Sequence, residues 1–182
     1  MPEWPVYSRA RDQHGCKKGG RRDILSRGED LAVADDLELR IERRIDAPVE
    51  KVWRVMTERL EDWFCPRPWR ARIRELEWRS GGRSAIVMQG PGGEEMLNEG
   101  VVLAFEPNKR FVFTDAFTAG WRPAGPFMVG VFEVEPDGDG TLYRASARHW
   151  TRDAVERHRA MGFEAGWGAA ADQLKALAEE TA

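Results

Sequence analysis

The chain has 182 residues, 42 % hydrophobic and 32 % charged, with a formal net charge of -3, the profile of one globular domain with an ample core. That charge gives no electrostatic footprint for nucleic acid, and no apolar run approaches a membrane span. Two cysteines make no disulfide framework and no signal-like apolar stretch follows the start, so a cytoplasmic protein is expected.

Residues 1–34 are set apart by Lys17, Lys18, Arg21 and Arg22 among Gly15, Gly19 and Gly20, with no sustained apolar period. They are expected to be a disordered tail. The alternative is a mis-annotated start, with translation beginning at Val33 from a GTG codon shortly after Gly28-Glu29, whose codons can spell a purine-rich ribosome-binding sequence. Under that alternative the native protein begins Met-Ala-Asp-Asp, which mass spectrometry of its N-terminal peptide detects. His14 and Cys16 fall far short of a zinc site.

From Leu37 onward, Leu39, Ile41 and Ile45 alternate with Glu38, Arg40, Glu42 and Arg44, a strand with one wet face. Asp46-Ala47-Pro48 ends it, with Asp46 as a candidate cap and Pro48 near the first helical position. A short helix then presents Val49, Val52, Trp53 and Met56, and a second carries Leu60, Trp63 and Phe64 before Pro66 and Pro68 stop it. Turn signals at Ser80-Gly81-Gly82, Gly90-Pro91-Gly92-Gly93, Glu106-Pro107-Asn108 and Pro136-Asp137-Gly138 leave about six more strands. These fall near residues 70–79, 83–89, 95–105, 110–117, 127–135 and 141–150. Charged residues mark the wet face, which turns Ile86, Met88, Phe111, Phe113, Asp115, Phe117, Met128, Phe132, Val134, Tyr143 and His149 inward.

Residues 151–182 read as one long helix capped by Thr151, with Glu156, Ala160, Phe163, Trp167, Ala170, Leu174 and Leu177 in a single stripe. Gly162, Gly166 and Gly168 interrupt it at about 1 kcal/mol each, which implies close backbone approach or room for something bound beside Phe163 and Trp167. An antiparallel sheet with one aromatic face and one long amphipathic helix combine when the helix lies across the concave side. The expected class is α+β: a curved seven-stranded antiparallel sheet, two short helices and a long C-terminal helix, all within residues 35–182.

Several local words, in order, resemble a known family: Asp46-Ala47-Pro48-Val49-Glu50-Lys51-Val52-Trp53, Ser80-Gly81-Gly82-Arg83, Asn98-Glu99-Gly100, Phe105-Glu106-Pro107-Asn108-Lys109-Arg110-Phe111, and His158 with Met161-Gly162-Phe163 and Gly166-Trp167. Over about residues 35–180 the chain resembles the SRPBCC (START-like) superfamily and, more narrowly, bacterial homologues of the activator of heat-shock protein ninety ATPase. The resemblance implies a helix-grip fold whose sheet and long helix enclose a cavity used for hydrophobic ligands. Members include polyketide cyclases, lipid carriers and plant allergen-like binders; the narrow branch adds a chaperone as an expected partner, beside a second copy of the chain.

The expected ligand wall is Met88, Phe111, Phe113, Phe132, Tyr143, Phe163 and Trp167 around a space of roughly 300–1,000 Å³, with a small hydrophobic or aromatic molecule as occupant. Asp115, Tyr143 and His149 are the inward polar groups, which could bond a ligand or serve acid and base chemistry in a cyclase-like alternative. Without an occupant the same side chains simply fill the core. His158 is expected to face away from Phe163 and Trp167 and to bond a strand or loop. Glu99 is expected to pair or orient a turn, and Arg70, Arg72 and Arg74 to form a solvated strand face. No P-loop, dinucleotide fingerprint, Ser-His-Asp order or metal spacing is present, so no cofactor is expected.

Overall fold

The computed structural model describes residues 37–180; the tail expected over residues 1–34 lies outside them. β1 (Glu38–Ile45) is followed by α1 (Val49–Glu58) and α2 (Leu60–Trp63). Six further strands of the main sheet and a small hairpin come next: β2 (Arg70–Leu76), β3 (Arg83–Gln89), β4 (Glu95–Glu106), β5 (Arg110–Thr114), β6 (Phe117–Thr118), β7 (Arg122–Pro123), β8 (Val129–Asp137) and β9 (Gly140–Arg148). The chain closes with α3 (Arg152–Ala160) and α4 (Phe163–Glu179). The seven-stranded antiparallel sheet runs β1-β9-β8-β5-β4-β3-β2 and stays open, with β1 and β2 as its edges.

Strand alternation sets the two faces. Registers Leu39↔Ala147, Ile41↔Ala145, Ala145↔Phe132, Phe132↔Phe111 and Phe113↔Gly130 put one apolar layer on the concave side, where Ile45, Val52, Met56, Trp63, Phe111, Phe132, Tyr143 and Leu174 are buried. Two details differ from the sequence expectation at the strand ends. β5 stops at Thr114, because the Thr114 hydroxyl donates to the Met128 carbonyl at 2.9 Å and accepts from Ala116 N–H at 3.1 Å. Phe117 therefore leaves the core and packs on Trp121 in the β6–β7 hairpin, at a centroid distance of 6.0 Å. Asp46 is no cap: Pro48 holds the N-cap position of α1, while the Asp46 carboxylate pairs with Arg44 and its N–H donates to Glu179 at 2.7 Å.

The expected single C-terminal helix is two. Gly162 adopts φ +89°, the left-handed region that glycine enters without a Cβ penalty, and its N–H donates to Arg159 O at 2.9 Å as its carbonyl opens α4 by accepting from Gly166 N–H at 2.9 Å. The break resets the helical phase. Upstream of it Val155 and His158 are buried while Glu156 and Ala160 are exposed; downstream Phe163, Gly166, Ala170, Ala171, Leu174 and Ala178 turn inward. Gly162→Ala should cost about 1 kcal/mol from backbone strain alone, because no atom lies within 4 Å of the added methyl. A urea midpoint shift at unchanged m-value checks it.

α4 starts over the sheet centre, where Trp167 stacks on Phe132 at 5.4 Å, and then runs along β1. Arg43 Nε donates to Asp172 at 2.6 Å, Lys175 Nζ to Arg44 O at 2.7 Å, and Gly168 sits against the Arg43 guanidinium, 3.2 Å from where a Cβ would be. α1 and α2 cover the rest of the concave side. No described helix is long and apolar enough to cross a membrane.

Candidate functional site

The aromatic residues expected to wall a ligand space do meet, and they form a continuous stack. Phe111 and Phe132 lie 4.8 Å apart, Phe113 and Phe132 5.7 Å, Phe132 and Trp167 5.4 Å, Phe163 and Trp167 4.8 Å. Offset stacking at such spacings is favourable beyond the burial itself. Met88 does not join them. It packs instead in a second cluster with Leu60, Cys65, Ala71 and Ile86 under α2.

Three aromatic side chains occupy the volume between wall and helices. Trp63 of α2 packs edge-on against Phe132 at 6.1 Å and Tyr143 at 6.4 Å. Phe64 lies 6.2 Å from Phe132 and 6.3 Å from Phe113. Trp78, from the β2–β3 link, stacks on Phe105 at 5.0 Å and packs tilted against Phe111 at 5.0 Å. Beside these rings lies a void of about 10 Å³ bordered by Leu60, Phe64, Trp78, Ser84, Ile86 and Phe113, room for one water at most. That void is far smaller than the several hundred Å³ expected. The apolar faces of α1 and α2, Val52, Trp53, Met56, Leu60 and Trp63, are the sequence signal that these helices fill the concave side.

Gln173 locks this filling in place. Its side-chain amide donates to Trp63 O at 3.0 Å and Cys65 O at 2.8 Å, and its Oε1 accepts from Arg67 N–H at 3.0 Å, so one residue of α4 satisfies three backbone groups of the α2–β2 link. Gln173→Ala leaves them without protein partners and should cost about 1–3 kcal/mol, read as a lowered denaturant midpoint. Cys65 is inert here, since burial pushes its thiol up to about 12.

Of the inward polar residues, Asp115 and His149 meet at Phe127 while Tyr143 lies apart. Asp115 Oδ1 accepts from Phe127 N–H at 2.9 Å and Met128 N–H at 3.2 Å, which fixes the entry to β8; burial raises its pKa against those bonds. Tyr143 lies under Trp63, six residues along β9 from His149 and so about 20 Å away, with its phenol pushed up by burial. The cyclase-like alternative needs all three groups around one point, a requirement this geometry does not meet.

His149 is instead joined by His158, against the expectation that His158 faces away from the aromatic stripe. The phase reset at Gly162 swings His158 onto Phe163 at 5.1 Å and Trp167 at 5.9 Å. As expected, it also bonds to a strand end: His149 Nε2 and His158 Nδ1 are 3.0 Å apart, and His149 Nδ1 lies 2.8 Å from Phe127 O. A carbonyl only accepts, so Nδ1 of His149 carries the proton, its Nε2 accepts, and Nδ1 of His158 donates. Burial lowers both pKa values, that of His158 to about 4, so both rings are neutral near pH 7. No group of three or more metal-ligating residues occurs among the described residues.

The sequence profile of the Activator of Hsp90 ATPase homolog 1-like proteins (AHSA1) matches residues 46–179. The chain belongs to this family. AHSA1-like proteins share the SRPBCC fold, and the order of strands and helices here is theirs. A crystal structure of a protein from Nitrosomonas europaea is 39 % identical, covering 78 % of this chain and 94 % of that one, with a TM-score of 0.72. A Mycobacterium smegmatis protein is 24 % identical over 82 % of this chain and 94 % of its own, at 0.67, and the AHSA1 protein of Silicibacter pomeroyi 22 % over 76 % and 95 %, at 0.59; these two show the fold alone. No curated protein matches the chain. The AHSA1-like fold is consistent with a ligand-binding domain.

Proposed function

We propose that this AHSA1-like domain binds a small, flat, apolar compound between the sheet and the helices, as a cytoplasmic binding protein, in a space that opens when Phe64 and Trp78 swing outward. The observation that carries the reading is the asymmetry of the aromatic layer. Phe111, Phe132, Phe163 and Tyr143 are buried, whereas Phe64, Trp78, Phe105, Phe113 and Trp167 stay partly exposed at the rim. Partly exposed rings can rotate outward at less cost than side chains buried in the centre, Phe64 on a backbone that the Gln173 bonds hold in place. An occupant stacking between Phe113 and Trp78 would replace ring contacts with ring contacts, so its affinity is set by the small cost of opening.

A naphthalene-class fluorophore titrated into the wild-type protein tests this. Saturable binding accompanied by quenching of tryptophan fluorescence supports the proposal. Binding by Phe64→Ala with none by the wild type would mean that only an engineered void accepts the probe, and would end it.

A further inference from the structure

The outer face of the sheet carries a feature that interior binding does not use. β2 is an edge strand on which Arg70, Arg72 and Arg74 are exposed; Arg70 and Arg72 share its outer face, and Arg74 stands at a register shift that brings Glu75 onto that face beside it. Among the described residues, no carboxylate or hydrogen-bond acceptor holds any of the three guanidinium groups. Every other arginine of the seven-stranded sheet is paired: Arg83, on the neighbouring β3, holds Glu75 at 3.0 Å and Glu99 at 2.7 Å, and Arg144 holds Glu42 and Glu135. Neutralising partners are thus the rule on this sheet, and one row of three lacks them.

The surroundings of the row define its shape. Alternate residues on a strand stand about 6.7 Å apart, the repeat of any extended peptide laid parallel to it. At one end Arg70 borders an open groove of about 480 Å³ closed by Pro68, Gln89, Pro91 and Gly93. Two carboxylates border this end and keep their charge: Glu94 accepts from Gly92 N–H at 2.9 Å and Glu95 from Gln89 at 2.8 Å, so the row draws anions at Arg72 and Arg74 more than at Arg70. The register Arg72↔Val87↔Leu97 puts Leu97, 49 % exposed, on the same face two strands away.

We infer that this face docks an extended acidic segment of a partner protein, with carboxylates at alternate positions on Arg70 and Arg72, Arg74 beyond the register shift adding a third cation, and an apolar side chain toward Leu97. Planar guanidinium groups are suited to carboxylates by their paired donors. The segment lies on the face and does not extend the sheet, because Glu61 of α2 already accepts the outward N–H of Ile73 at 2.5 Å and so occupies the strand edge. A second copy of this chain is a poor occupant: a symmetric contact would set arginine row against arginine row, and facing like charges repel.

The test uses the full chain and a labelled synthetic peptide in which glutamate alternates with threonine around a single leucine, measured by fluorescence anisotropy near physiological salt. The expected result is saturable binding weakened about tenfold by Arg72→Glu and more by the triple reversal, with the melting temperature unchanged because the side chains make no internal bonds. A control peptide of the same composition with its glutamates in one block should bind about tenfold more weakly, since its charges miss the strand repeat. Equal binding of the two peptides, equal binding by Arg72→Glu, tighter binding of a single-stranded oligonucleotide than of the alternating peptide, or concentration-dependent dimerisation through this face would each overturn the inference.

Discussion

Trp63→Ala should be the most damaging single substitution in the domain, costing about 3–5 kcal/mol, the range for deleting a large core aromatic. Trp63 is 1 % exposed and touches three rings from two different layers: Phe64 beside it, and Phe132 and Tyr143 on the sheet. Its indole N–H donates to Met56 O at 3.3 Å and so ties α2 back to α1. Alanine removes the contacts and the bond together and leaves a hole that rigid strands on one side and α4 on the other cannot close. Chemical denaturation measures the loss. The variant should also take up small aromatic molecules such as benzene, as dry engineered cavities do, visible as a denaturation midpoint that rises with benzene.

Acid should destabilise the protein well before its carboxylates titrate. His158 ordinarily titrates at 6.5, and in the fold burial and the neighbouring His149 lower this to about 4. The unfolded chain therefore binds a proton at a pH where the folded chain refuses it. Stability is complete above 6.5, falls as pH drops toward about 4, and is not lost further to this group below that. The gap corresponds to roughly 3 kcal/mol. His149, lowered for the same reason of burial, acts in the same direction. Asp115, raised by burial, acts oppositely as it takes up its proton; its carboxylate favours a cationic His149, whereas Arg157, over the Phe127 ring at 5.9 Å, disfavours one. His158→Gln retains a side-chain donor but no titration, so its stability between pH 6.5 and about 4 should decline much less than that of the wild type. Parallel declines in the two proteins would remove His158 as the cause.

What could be read from residues alone tracks how local the determining physics is. β1 was legible because Leu39, Ile41 and Ile45 alternate with charges, and the inward set Ile86, Phe111, Phe132 and Tyr143 followed from the same period of two. The C-terminal helix failed at Gly162. A glycine inside a helical period reads as a modest cost, but here it is the left-handed stop of one helix and the start of the next, and the choice depends on tertiary contacts such as His158 with His149. Continuing one helical wheel across that point put Glu156 and Ala160 on the buried stripe and turned His158 out of it.

The size of the interior space was beyond the sequence for a related reason. Which rings line the concave face depends on alternation; how much room they leave depends on how deeply Trp63, Phe64 and Trp78 reach, and that is fixed by α2, the cap of Glu61 on Ile73 and the Gln173 bonds. Asp115 illustrates the same limit. Its inward direction follows from the strand period, but its bonds go to backbone N–H groups twelve and thirteen residues away, across a loop whose course no pattern records.

Side-chain NMR of the wild-type protein during titration with a naphthalene-class compound addresses the opening of the aromatic layer most directly. Saturable shifts concentrated on Phe64, Trp78 and Phe113, with Tyr143 and Ile45 at the closed centre unmoved, are the result expected. Shifts confined to Trp121 and Trp150, the exposed tryptophans at 54 % and 51 %, or no saturable shifts at all, would contradict the account.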